Sequence, residues 1–126
     1  MKLIRAELRD IYSPDVPDLA APPFALDAPF CVPLQIDFGA QGEDGQDQFD
    51  MLVCNPSWLA ERANHGILSG LHYLIVPRFN IDEIRQFLGN LAEQCVGSTW
   101  EEVARRLGKF AHWEFAESQD IDLTAQ

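Results

Sequence analysis

Apolar and polar residues alternate along the first part of the chain. Ile4, Ala6 and Leu8 fall on one side of residues 2–12 and Arg5, Glu7 and Arg9 on the other, which is the two-residue period of a half-buried strand. The same period returns twice. Val32, Leu34, Ile36 and Phe38 alternate with Pro33, Gln35 and Asp37, and Phe49, Met51 and Val53 alternate with Gln48, Asp50 and Leu52. The glycine-rich acidic segment from Gly39 to Gly45 between them reads as the turn of a hairpin. Pro33 cannot donate to a ladder, so it points to an edge position or a bulge. Leu71–Val76 is apolar on both faces and is expected to be a central strand.

The period then changes to that of a helix. Ile81, Ile84, Leu88, Leu91 and Cys95 recur at helical spacing; Asn80 with Glu83 forms a cap-and-box start, and Phe79 with Ile84 a hydrophobic staple. Gly97 is read as the stop. Ser98 with Glu101 repeats the box, Trp100, Val103, Ala104 and Leu107 form the inward face, and Gly108 ends the helix. Trp58-Leu59-Ala60 opens a short helical turn after Asn55-Pro56-Ser57, and Ala111–Phe115 is a short strand or extended segment. Strands first and helices afterwards predict an α+β fold, an antiparallel sheet of about four strands with two C-terminal helices packed on one face. Residues 1–118 are read as a single domain, with 13–29 a loop holding five prolines and 119–126 a disordered acidic tail.

Composition adds a sign. Twenty acids against nine bases give a net charge of −11 over 126 residues. Between Arg9 and Arg62 there is no base at all, while ten acids fall in that gap. Such a field repels nucleic-acid phosphate and anionic membrane surface and favours a basic protein partner. No apolar stretch reaches the roughly 20 residues of a membrane span, and no signal-peptide h-region follows the start. The three cysteines are odd in number and widely spaced, which favours the cytoplasm over a secreted disulfide framework.

No chemistry-bearing motif emerges. His65, His72 and His112 lack metal-ligand spacing, no nucleophile elbow or P-loop is present, and Glu43, Asp44 and Asp47 would repel a phosphate from the glycine turn. Cys54 has no basic neighbour in sequence to activate it. Asp37, Asp47 and Asp50 read as outward hairpin positions rather than paired catalytic carboxylates. The sequence therefore predicts a binding protein and not an enzyme, with no catalytic, cofactor-binding or metal-binding residue. Trp100 is expected in the core; Trp58 and Trp113, at element ends, are core lids or interface anchors.

Three stretches carry a resemblance: Phe49-Asp50-Met51-Leu52-Val53-Cys54-Asn55-Pro56-Ser57-Trp58-Leu59; Leu74-Ile75-Val76-Pro77-Arg78-Phe79-Asn80 running into Ile81–Ile84; and Gly97–Leu107 followed by Trp113-Glu114-Phe115. Together they resemble immunity protein family eight of bacterial polymorphic toxin and contact-dependent growth-inhibition systems. The resemblance implies a protein that binds and neutralises a cognate toxin domain stoichiometrically in the cytoplasm, by occlusion, with a nuclease bearing a basic cleft as the expected target. It transfers no binding residues. The charge pattern nominates Asp37, Glu43, Asp44, Asp47 and Asp50, with Trp58 as an anchor. The alternatives are a self-associating scaffold or assembly subunit that pairs through the hairpin edge, and a small carboxylate-dependent hydrolase.

Overall fold

A computed structural model describes residues 2–25 and 27–116. The three alternating segments become β1 (Ile4–Tyr12), β2 (Cys31–Ala40) and β3 (Asp47–Cys54), paired antiparallel in the order β1-β2-β3. Their inward rows match the sequence period: Ala6, Val32, Leu34, Ile36, Phe38, Phe49, Met51 and Val53 are all buried. At the β2–β3 turn Gly42 and Gly45 take positive φ (78° and 92°), which no side-chain-bearing residue adopts without cost. The tail expected at 119–126 lies outside the described residues.

The expected sheet and helix count need correction. Among the described residues the sheet has six strands, is mixed rather than antiparallel, and is accompanied by three helices. The mixed character comes from β4 (Tyr73–Ile75), which runs parallel to β3 with Leu52 opposite Tyr73 and Cys54 opposite Ile75. Parallel neighbours need a crossover. It is provided by α1 (Pro56–Ala63), where a single short turn was expected. Asn55 caps α1, its Oδ1 accepting from Trp58 N, and Pro56 sits in the first turn, where its missing N–H costs nothing. β4 is also an edge strand, not a central one, with Ile75 56% exposed. Its apolar composition reflects packing on one side and an open edge on the other.

The other two strands are only two residues long and exist because longer strands present open edges to them. β5 (Val96–Gly97) pairs with β1, so Gly97 belongs to a strand; the preceding helix, α2 (Ile81–Gln94), ends at Cys95. β6 (His112–Trp113) pairs antiparallel with β3, Trp113 opposite Phe49 and His112 opposite Asp50. Thus β3 is flanked on one edge by β2 and on the other by β6 along its first half and β4 along its second. Pro33 lies in the middle strand of the sheet, yet the β1–β2 register ends at Tyr12 opposite Gln35. Pro33 is beyond the end of β1 and is locally at an edge, which is why the ring is tolerated.

Helix α2 starts as its sequence says: Asn80 Oδ1 accepts from Asp82 N at 3.0 Å and from Glu83 N at 3.2 Å. It buries Ile81, Ile84, Leu88, Leu91 and Ala92 and packs on β1. For α3 (Trp100–Leu107) the cap is Thr99 rather than Ser98, with Thr99 Oγ1 accepting from Glu102 N. Glu102 closes the box by accepting from Ser98 N and Oγ, so the predicted Ser98/Glu101 pair is displaced by one residue. Val103, Ala104 and Leu107 join the same apolar cluster as the inward strand rows. The proline-rich connection from 13 to 30 is irregular but anchored: Val16 and Phe30 are buried, Phe24 stacks on Phe30 with ring centroids 5.0 Å apart, and both meet Phe79 edge-to-face at 5.9 Å.

Candidate functional site

With α2 and α3 on the inward rows, the opposite face of the central strands is left uncovered. A β-bulge shapes it. The β1–β2 register shifts between Leu8 and Asp10, so Leu8 opposes Phe38 and Asp10 opposes Asp37. The extra residue, Arg9, re-phases the strand. Ile11 then points inward and is buried, and Asp10 and Tyr12 turn to the outer face.

Register gives the layout of that face. Asp10, Asp37 and Gln48 form one row across the strands; Tyr12, Gln35, Asp50 and His112 form the next; Pro33, Leu52 and Tyr73 form the third. Glu114 continues from β6 beside the first row, its carboxylate accepting from Gln48 N while its own N–H donates to Gln48 O at 3.0 Å. Polar contacts within the face come from neutral groups. Tyr12 Oη donates to Gln48 Oε1 (3.0 Å), Gln46 Nε2 to Asp37 Oδ2 (3.0 Å) and Gln48 Nε2 to Asp50 Oδ1 (3.3 Å). Among the described residues no Lys or Arg is ion-paired with Asp10, Asp37, Asp50 or Glu114.

Arg9, next to Asp10 in sequence, is engaged elsewhere. Its Nη2 donates to Ala40 O (2.8 Å) and Glu43 O (2.7 Å) over the hairpin, and its Nε lies 2.9 Å from Glu7 Oε2. The electrostatic consequence is legible in the titrating groups. Partial burial pushes the Asp37 carboxyl above its ordinary value, and the neighbouring Asp10 and Glu114 charges push it further. Desolvation likewise raises the Tyr12 phenol, with Asp37, Asp10, Asp50 and Glu114 adding to it. These carboxylates do not converge on a point: among the described residues no group of three His, Cys, Asp or Glu side chains is placed to hold a metal ion.

The nominated residues divide by location. Asp37 and Asp50 stand on the uncovered face. Glu43 and Asp44 lie at the exposed hairpin tip, Glu43 with its carboxylate 3.8 Å from Lys2 Nζ. Asp47 is on the inward row opposite Phe38, where its Oδ2 accepts from Trp100 Nε1 (2.6 Å) and Trp113 Nε1 (3.0 Å). Trp58 is half-buried, its ring 6.2 Å from that of Tyr73 at the apolar end of the face. Asp10, Glu114 and Tyr12 belong to the face but were not nominated. Asp10 is turned there by a bulge whose one trace in sequence is the break in alternation at Asp10-Ile11, and Glu114 arrives through a two-residue strand. Trp113 is buried, and Trp100 is only partly so.

The apolar end holds a strained residue. His72 has φ = +65°, a left-handed conformation costing an ordinary residue about 1–2 kcal/mol. It is held there from two sides: Leu52 N donates to His72 O (3.0 Å), and His72 Nε2 donates to Gly108 O (2.8 Å). The second bond requires the proton on Nε2, because a carbonyl can only accept. The His72 and His112 rings lie 5.8 Å apart, joining the β4 approach to the Asp50 row.

Comparison with known proteins gives one match. A family model described as Immunity protein 8 matches residues 6–118, spanning every strand and helix except the first two residues of β1. No curated protein and no solved structure matches the chain. A match over that share of the sequence places the hairpin, the uncovered face and all three tryptophans inside one family unit, and the chain belongs to the immunity protein 8 family.

Proposed function

We propose that this chain is a non-catalytic inhibitor that binds a cognate bacterial toxin domain in the cytoplasm and blocks it by stoichiometric occlusion. The family supports the toxin-binding role. The single observation that carries the mode of binding is the uncovered sheet face, where, among the described residues, no Lys or Arg is ion-paired with Asp10, Asp37, Asp50 or Glu114. Like charges opposite one another weaken a sheet, so the row is better off with a cationic partner than alone. The toxin is therefore proposed to be basic, a nuclease whose substrate cleft this face fills in place of phosphate. Glu43 and Asp44 at the hairpin tip extend the field, and Trp58 at the opposite end is an anchor. Complementary charge raises the association rate above the roughly 10⁵–10⁶ M⁻¹s⁻¹ of neutral pairs, while buried anchors set residence time.

The test is co-expression with a toxin-like domain encoded by a neighbouring gene, scoring growth rescue and co-purification at one to one. Reversing Asp37, Asp50, Glu43 and Asp44 to Lys together is expected to slow association at least tenfold and flatten its salt dependence, with the melting curve retained. Unchanged toxin binding with unchanged salt dependence would remove the acidic face from the interface.

A further inference from the structure

Where the charged rows of the uncovered face give way to the apolar one, the surface is not flat. A depression of about 270 Å³ opens there, floored by Pro33 and Leu52, walled by Pro14 and Leu71, with Asp50 and Gln35 at its polar end. Its wall is built at a cost. Leu71 precedes the left-handed His72, whose backbone is clamped to Leu52 and whose ring is clamped to Gly108, so the Leu71 side of the depression is set by fixed hydrogen bonds. Leu71 is 65% exposed, so the wall it forms is open to a partner.

The two ends differ in chemistry. The floor and walls offer aliphatic surface, and the His72 imidazole beside them is engaged through Nε2 with Gly108 O. At the polar end Asp50 Oδ1 accepts from Gln48, and among the described residues no base is paired with either oxygen of its carboxylate. Beyond Asp50 in the adjoining row lie Asp37 and Asp10. An apolar trough ending in uncompensated negative charge is complementary to a side chain that is aliphatic along its stem and cationic at its tip. A purely apolar side chain would desolvate the Asp50 carboxylate without supplying an opposite charge, and an acidic one would be repelled.

Building on the toxin-binding reading above, we infer that the depression bounded by Pro14, Pro33, Leu52, Leu71 and Asp50 is a socket for one arginine or lysine side chain of the partner. The stem lies along Leu52 and Leu71, and the head reaches the Asp50 carboxylate. The acidic rows steer the partner in, and the socket holds it.

The probe is N-acetyl-arginine methylamide, titrated into the ¹⁵N-labelled full chain with backbone amide shifts as the readout. N-acetyl-norleucine methylamide, with a similar stem and no charge, is the control. The expected result is saturable binding with a Kd on the order of millimolar, which corresponds to about 4 kcal/mol. Shifts should centre on Asp50, Leu52, Leu71 and His72. The norleucine probe, Asp50→Asn and Leu71→Ser should each weaken binding at least threefold, whereas Glu93→Gln on the exposed side of α2 should leave it unchanged. Equal response to both probes, shifts centred on 41–46, or a concentration-dependent dimer that masks the same amides would each overturn the socket. Loss of the socket leaves toxin neutralisation measurable by itself. Arginine-probe binding with no neutralisation of the adjacent toxin would retain the socket and overturn the immunity reading.

Discussion

The carboxylate of Asp47 accepts a hydrogen bond from the buried Trp113, Nε1 to Oδ2, at 3.0 Å. The same oxygen accepts from Trp100 at 2.6 Å, so one acid satisfies both indoles and ties β3, α3 and β6 together at one end of the sheet. Bonds to a charged acceptor contribute about 1.5–3 kcal/mol each, and removing the acceptor leaves partly buried N–H groups without a partner. Asp47→Ala is therefore expected to destabilise the protein by about 2–4 kcal/mol in urea unfolding. Asp47→Asn, which keeps one oxygen, should lose clearly less. A loss below about 0.5 kcal/mol for the alanine variant, the level of an ordinary surface change, would mean that the indoles do not depend on this acid.

Asn55 does similar work on the opposite end of β3. It is the one buried polar residue among those described, and it makes three bonds: Oδ1 accepts from Phe30 N and Trp58 N, both at 3.1 Å, and Nδ2 donates to Ala28 O at 2.9 Å. One side chain thus caps α1 and pins the end of the proline-rich connection. Asn55→Ala should cost about 2–4 kcal/mol, more than the ~1 kcal/mol of a simple cap, because two of the orphaned groups are on a separate segment. Asn55→Asp, which retains the cap acceptor, should recover part of the loss. Proteolysis within 13–30 that rises in the alanine variant and not in the aspartate variant would locate the acceptor Oδ1, bonded to Phe30 N, as the restraint, whereas a rise in both would locate the donor Nδ2.

These relationships mark how far the sequence could be read. The inward rows of β1, β2 and β3 and the Asn80 start of α2 follow from local periodicity and capping, and they appear where expected. The parallel β4 does not, because its direction is set by a crossover, and Trp58-Leu59-Ala60 looks the same whether it opens one turn or all of α1. The bulge at Arg9 leaves only a small trace in sequence: the period set by Ile4, Ala6 and Leu8 would put Asp10 on the apolar row and Ile11 on the polar one, and pairing with Asp37 shows that Asp10 has changed faces. The same limit applied to the acids. Asp37 and Asp50 were identifiable as outward, but Asp47 is inward by its register opposite Phe38, and Glu114 depends on a strand too short to have a period.

Cys31 and Cys54 are register partners across β2 and β3, both as free thiols. Burial pushes the Cys31 thiol up to about 11, with Cys54 adding to the shift, and burial raises Cys54 as well. A raised thiol is protonated and unreactive at neutral pH. Against an ordinary thiol near 9, the thiolate fraction of Cys31 at pH 8 falls about a hundredfold, so iodoacetamide should alkylate it about that much more slowly in the folded protein. The rate should climb steadily from pH 8 to pH 11 and reach ordinary values in urea. Alkylation of the native protein at free-cysteine rates would contradict the packing of the β2–β3 end.

Asp37 offers the sharpest separation of stability from binding. Its carboxyl is raised by burial and by Asp10 and Glu114, so the folded state holds the proton more tightly than the unfolded chain. The stability this contributes is fully present below the ordinary carboxylate range and is lost as pH rises through the raised folded value. At pH 7 the ionised Asp37 therefore opposes folding, and Asp37→Asn should stabilise the isolated protein by about 0.2–1 kcal/mol, the scale of a like-charge cross-strand pair. The gain should vanish near pH 3, where both states of the wild-type residue are protonated. Binding should respond in the opposite sense. A cationic partner favours the ionised carboxylate and draws its pKa down, so the wild type should bind the toxin domain more tightly as pH rises through the folded value of Asp37, and Asp37→Asn should lose that part of the pH dependence. A variant that is more stable and yet neutralises less would show that this row of carboxylates sacrifices stability for recognition. One that is less stable at pH 7 would show that Gln46, whose amide donates to Asp37 Oδ2, outweighs the repulsion from Asp10 and Glu114.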